Sequence, residues 1–173
     1  MKKYIPFLGM IALQVLILAL VPARTLVTRA VGEEVSLPLA PIDPYDMWSG
    51  YYVILNYDIS RPDLTQWDKL NFENGQTVWA VVKRDSVGTF RLSRFAKEKQ
   101  ESLTSNERQF TGTYRDGSIR YGIEAYFIPE ARRFEIEKEV QKKREQTRMI
   151  VAVTPDGRAA VKRMVIGNKT YEF

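Results

Sequence analysis

The sequence predicts a mainly β, α+β protein: an N-terminal transmembrane helix followed by an antiparallel β-sheet or partly closed barrel, with one covering helix. Three observations carry that expectation. Ile5–Ala23 is a nineteen-residue run without a charge. The remainder shows repeated period-two segments separated by Asp/Gly/Pro turn signals. Only one later segment, opening at Pro129, is long, charged and free of turn residues.

Nineteen residues at ~1.5 Å each give just under ~30 Å, the thickness of a bilayer's hydrocarbon. Only a helix satisfies its own backbone there. Lys2 and Lys3 favour a cytoplasmic N-terminus, with Arg24 and Arg29 on the opposite flank weighing against it. Residues 1–31 are therefore expected to be a cytoplasmic N-terminus and anchor, and residues 32–173 an extracytoplasmic β-rich domain. Gln14, mid-span, reads as a tolerated amide, with a hydrogen bond to a partner helix as the alternative. Val21-Pro22-Ala23 is a passable cleavage pattern, but Arg24 follows it and the apolar run exceeds a signal peptide's, so a retained anchor is expected.

Beyond the anchor, Thr25–Val31 continues the helix to Gly32. Glu33–Leu39 alternates as a strand, at an edge given Pro38. Pro41-Ile42-Asp43-Pro44-Tyr45-Asp46 is a rigid turn. In Gly50–Ile59, Tyr51, Val53, Leu55, Tyr57 and Ile59 share one face of a strand. Residues 60–75 read as loop, with a helical turn after Pro62. Val78–Arg84 and Thr89–Phe95 form a hairpin around Asp85-Ser86-Val87-Gly88, and 96–106 is expected to be polar and mobile. A second hairpin joins Arg108–Tyr114 to Ile119–Phe127, whose odd-numbered residues Ile119, Tyr121, Ile123, Ala125 and Phe127 should face one way and whose Arg120 and Glu124 should pair. Pro129 opens a helix to about Gln146. Arg148–Thr154 and Val161–Ile166 make the last hairpin, turning at Pro155-Asp156-Gly157.

Composition narrows the chemistry. The 173 residues contain no cysteine and no histidine, which removes thiolate nucleophiles, thiolate metal sites and every Ser-His or Cys-His arrangement. Lys2 and Lys3 supply two of the net +5 charges, leaving +3 on the rest. Lys and Arg alternate with Glu through residues 132–139, a solvated helix face rather than a nucleic-acid footprint, so nucleic acid is not an expected partner. No cofactor is expected.

Pro41-x-Asp43-Pro44-x-Asp46-x-x-x-Gly50-x-Tyr52-x-x-Leu55-x-Tyr57 resembles the signature of the bacterial GDYXXLXY family. Arg120–Glu130, Val151–Val153 and Asp156–Ala160 resemble further stretches of it, so the likeness spans nearly the whole chain. One position departs: Tyr51 stands where the family carries aspartate after glycine, so any role of that carboxylate is missing here. The family has no assigned activity. The resemblance implies a single-pass protein of the bacterial cytoplasmic (inner) membrane, its C-terminal domain periplasmic, held in the bilayer through residues 5–23 and associated with a multi-span membrane protein. Asp43, Pro44, Asp46, Gly50, Tyr52, Leu55 and Tyr57 become the candidate binding residues.

Each has a plainer reading. Gly50 permits a turn or close backbone approach, and Tyr52 and Tyr57 serve as core rings with hydroxyls tied to backbone. Asp43, Asp46 and Asp58 as a calcium cluster lack dense oxygen-ligand spacing. The enzymatic alternative is a divergent signal-peptidase-like scaffold, or a hydrolase using Ser/Lys or paired carboxylates. Counting back from Gly50 at the peptidase spacing lands on Ile42, not serine; Ser49 is misplaced, and Lys83 lacks a serine partner. The sequence therefore weighs toward a non-catalytic binding or accessory module.

Overall fold

The computed structural model describes residues 5–39, 48–49, 52–61 and 71–173. The turn at Pro41–Asp46 and the helical turn after Pro62 lie outside the described residues, as do Asp43, Pro44, Asp46, Gly50 and Tyr51.

Helix α1 (Ile5–Val31) carries Pro22 in its interior and runs ~40 Å at ~1.5 Å per residue. Every side chain described from Phe7 to Leu20 is exposed, so this stretch has no packing partner among the described residues. By length and composition it is the one described helix able to cross a membrane. Only its last turns dock. Thr28 is buried, and Arg29 Nη2 donates to the Lys162 carbonyl at 3.1 Å. The helix closes when Gly32 N–H donates to Thr28 O at 2.9 Å.

After that glycine the chain enters β1 (Glu33–Pro38), which pairs antiparallel with β9 (Thr147–Val153) from Glu33↔Val153 to Pro38↔Arg148. Val35 and Leu37 point inward at period two, as the alternation predicts. Strand β10 (Ala159–Ile166) and β11 (Lys169–Tyr171) complete a four-stranded sheet in the order β1-β9-β10-β11, with β1 outermost.

A second four-stranded sheet has the order β5-β4-β6-β7, from β4 (Thr77–Arg84), β5 (Phe90–Ala96), β6 (Glu107–Arg115) and β7 (Ser118–Arg120). Its turns follow local chemistry. Asp85 Oδ1 accepts from the N–H groups of Val87 and Thr89, at 3.0 and 2.8 Å, closing one hairpin. Asp116 and Gly117 close the other with φ of 48° and 81°, the left-handed pair a two-residue hairpin turn requires. A third, small sheet orders β2 (Trp48–Ser49), β3 (Tyr52–Ile54) and β8 (Ala125–Phe127). All pairings are antiparallel. Helix α2 (Glu130–Lys142) lays Ile136 and Val140, one turn apart, on a single shared core with Leu55, Tyr57, Phe110, Ile119, Ile123, Met149 and Met164. Pro129 is its N-cap, and a 3₁₀ turn follows it over Arg144–Gln146.

The expected Gly50–Ile59 strand is broken in the structure. Ladder pairing covers Tyr52–Ile54, Tyr57 forms only an isolated bridge with Leu39, and Asp58–Ser60 is a 3₁₀ turn. Alternation survives, because Leu55, Tyr57 and Ile59 are all buried, but the segment changes partners in mid-course. Ile119–Phe127 is likewise two strands in two sheets. Gly122 has φ +78°; Ile123 is still buried, and past it the phase inverts, with Tyr126 buried while Ala125 and Phe127 are exposed. Glu124 forms no ion pair with Arg120 among the described residues; its carboxylate accepts from the N–H groups of Tyr121 and Gly122 instead. Residues 96–106 are fastened to β6: Gln100 N–H donates to Gln109 Oε1 at 3.0 Å, and Thr104 N–H and Oγ1 each reach Glu107 Oε2 at 3.1 Å.

Gly32 joins helix to sheet without room for a side chain. A methyl there meets Thr28 O at 2.6 Å, Val153 N at 2.9 Å and Ala152 Cβ at 3.0 Å. Two of the three are backbone atoms, so relief requires the helix end to lift from β9. Gly32→Ala is expected to destabilise the domain by ~1–3 kcal/mol, read as a lowered unfolding midpoint of the full chain in detergent. An unchanged midpoint means the helix end does not sit this close.

Candidate functional site

Two of the resembling stretches meet in the fold where they are described. Tyr52 pairs with Phe127, Val53 with Tyr126 and Ile54 with Ala125, so Tyr52–Ile54 lies directly on Ala125–Phe127. The contact continues past the ladder, where Leu55 N–H donates to Glu124 O at 2.7 Å. Tyr57 then donates its hydroxyl to Ile123 O at 2.9 Å, and Tyr121 returns its own to Ile59 O at 2.6 Å. Two tyrosines thus cross between neighbouring segments, each satisfying a carbonyl on the other. The Glu124 carboxylate pins the turn beneath them.

Leu55 and Tyr57 are buried, and the Tyr57 ring serves the core with its hydroxyl tied to backbone. Burial first, and the nearby Glu124 charge second, push the Tyr57 and Tyr121 phenols well above their usual range, so both are neutral donors at any physiological pH. Of the other candidate carboxylates, Asp43 and Asp46 lie outside the described residues, and Asp58 is exposed in its 3₁₀ turn. Lys83 is exposed at the end of β4, opposite Arg91 and Glu107 in register. No group of three or more metal-ligating Asp or Glu side chains occurs among the described residues.

A larger concavity, about 620 Å³, opens where α1 ends. Val31 and Glu33 line one side; Gln100, Thr104, Glu107 and Arg108 line another; Val153–Pro155 closes it. Arg108 grips Glu33 through two nitrogens, Nε to Oε2 at 2.7 Å and Nη2 to Oε1, holding that carboxyl below its usual range. Arg94, then the Thr104 backbone N–H, lower Glu107 to about 2. Beside the cleft, Glu34 bridges Arg163 and Lys162 at the β10 bulge and is also lowered to about 2, chiefly by Arg163. Carboxylates so committed to arginine are poor proton donors or acceptors near neutrality. The cleft offers fixed charge and amide hydrogen bonds, which suit binding. Sequence reasoning missed Glu107, Arg108 and Glu33, because 75 positions separate the last two and nothing local links them.

An apolar helix long enough to span a bilayer, running with a single intervening residue into an antiparallel β domain, defines a helix-tethered β module. The chain belongs to the GDYXXLXY protein family, whose model matches residues 14–164. No curated protein and no solved structure matches it.

Two outcomes follow from this geometry. Tyr57→Phe leaves the buried Ile123 carbonyl without its donor and is expected to cost ~1–3 kcal/mol; chemical unfolding measures it, and a double-mutant cycle with Tyr121→Phe tests whether the two crossings are coupled. Glu107, with its folded value depressed from 4.5 to about 2, contributes stability present above pH 4.5 and lost as the pH falls toward 2. Glu107→Gln should therefore flatten the acid limb of unfolding midpoint against pH in that window, leaving the share due to Glu34.

Proposed function

We propose that this protein is a binding or accessory module tethered to the bacterial cytoplasmic membrane by α1, its β domain on the extracytoplasmic face, serving a multi-span membrane protein. The observation that carries the reading is the stretch Phe7–Leu20, whose side chains are all exposed and apolar or small apart from Gln14. So large an apolar surface is stable only when something other than water covers it. Lys2 and Lys3 before the run favour a cytoplasmic N-terminus. The cleft's arginine-bound carboxylates support binding over acid–base chemistry. Within the family signature, Leu55 and Tyr57 act from the core, next to the central strand of the small sheet that carries Tyr52; Asp43, Pro44, Asp46 and Gly50 remain the binding candidates of the signature.

The native chain has no cysteine, so introduced single cysteines report topology without background. Ser102→Cys, on the exposed 97–106 segment, is expected to react with a membrane-impermeant maleimide in intact spheroplasts, and Lys2→Cys only after lysis. The reverse pattern overturns the orientation. Affinity capture of the full chain from detergent-solubilised membranes should recover one dominant multi-span protein; failure to recover any reproducible partner overturns that assignment.

A further inference from the structure

We propose that a second, smaller pocket, between the emerging end of α1 and the start of β10, binds the phosphodiester headgroup of an anionic phospholipid. The pocket measures about 180 Å³ and is lined by Arg24, Thr25 and Thr28 of α1 together with Thr111, Tyr121, Arg158 and Ala159. Two arginines and three threonines thus line a space of headgroup size. Guanidinium matches phosphate oxygens in a fixed fork, and hydroxyls add neutral donors.

Charge availability fits an anionic occupant. Arg24 is exposed and forms no ion pair among the described residues. Arg158 engages Asp156 through Nε, one of five N–H donors on its guanidinium. The Tyr121 hydroxyl is already committed to Ile59 O, so its ring serves as wall rather than donor.

Position along the helix selects a lipid over a soluble anion. Arg24 is the first charge after the uncharged Ile5–Ala23 run. Thr28 lies four residues on, ~6 Å further along the axis. The polar headgroup layer occupies ~5–7 Å of each leaflet outside the hydrocarbon. Arg24 to Thr28 therefore falls within that layer if the apolar run fills the core. The domain limits any deeper insertion, since Thr28 is buried against it and Arg29 is bonded to Lys162 O. Leu26 and Val27, outside the pocket lining on the same turns, are exposed and apolar, compatible with a neighbouring glycerol backbone. A basic pocket at this depth selects anionic over zwitterionic lipid.

The inference rests on the membrane reading above, and its test separates the two. The full-length chain, purified in a neutral detergent, is titrated with phosphatidylglycerol or phosphatidylcholine of matched acyl chains, and retained lipid is counted by native mass spectrometry. Phosphatidylglycerol should be retained over phosphatidylcholine, and Arg24→Gln should lower that preference roughly fivefold. Arg24 is exposed, so this variant keeps the unfolding midpoint; Lys97→Gln, an exposed base elsewhere, should keep both midpoint and preference. Equal retention of the two lipids, or an Arg24→Gln chain that keeps its preference, overturns the proposal. So does millimolar inorganic phosphate that displaces the lipid, which assigns the pocket to a soluble anion. Each of these results is compatible with an intact anchor, whereas an anchor that fails the maleimide test fails independently of lipid choice.

Discussion

The arrangement of the domain depends on one crossing: Tyr57 reaching Ile123 O while Tyr121 reaches Ile59 O. These two hydrogen bonds join the segment that leaves the small β2-β3-β8 sheet to the one that enters it. β3 passes through Leu55 and Tyr57 toward β1, and β7 passes through Tyr121 and Ile123 toward β8. At both places ladder hydrogen bonding lapses, and buried carbonyls would stand unsatisfied without another donor. Tyrosine supplies a long apolar body for the core and a donor at its far end, so one residue type meets both needs. Phenylalanine fills the same volume and leaves the carbonyl bare.

Gly32 sets the second constraint. Because the helix gives way to β1 after a single residue, and β1 is laddered to β9 along its full length, helix and sheet share one continuous frame. Arg29 reinforces it from the side, through Lys162 O and an ion pair to Glu172 at 3.8 Å. Around the same junction, Glu33 and Glu34 splay to opposite partners, Arg108 on one side and Lys162 with Arg163 on the other. Such exposed pairs contribute little energy singly; they tie β1 to β6 and β10.

Much of this was legible in the sequence, and the boundary between legible and hidden has a physical basis. Hairpins announced themselves because their turns need particular residues: Asp85 for side-chain capping, Asp116-Gly117 and Gly157 for left-handed backbone. The helix ending before Gly32, the edge strand at Glu33–Pro38 and the covering helix after Pro129 were equally local. Partner changes were not. Period two persists through Leu55, Tyr57 and Ile59 although the ladder does not, because alternation reports which face is buried and not which strand lies alongside. At Gly122 the glycine was a visible clue to a kink, but Glu124 looked like a partner for Arg120 until the chain folded it back on its own amides. Short β2 and β11 carry too few residues for any pattern. The cleft and the pocket are lined by residues far apart in the chain, which composition and spacing cannot bring together.

The absence of a linker has a mechanical corollary. A tether of flexible residues would let the domain wander independently of its stalk; here the stalk is the first element of the domain's own framework. In a bilayer, helices lean by ~20° on average and respond to local thickness. A globule of this size is ~35 Å across, so a ~10° change of lean displaces its outermost surface by ~6 Å. Under the proposed topology the module behaves as a lever: whatever shifts the rod within the lipid swings the distal face, without any change of conformation inside the domain.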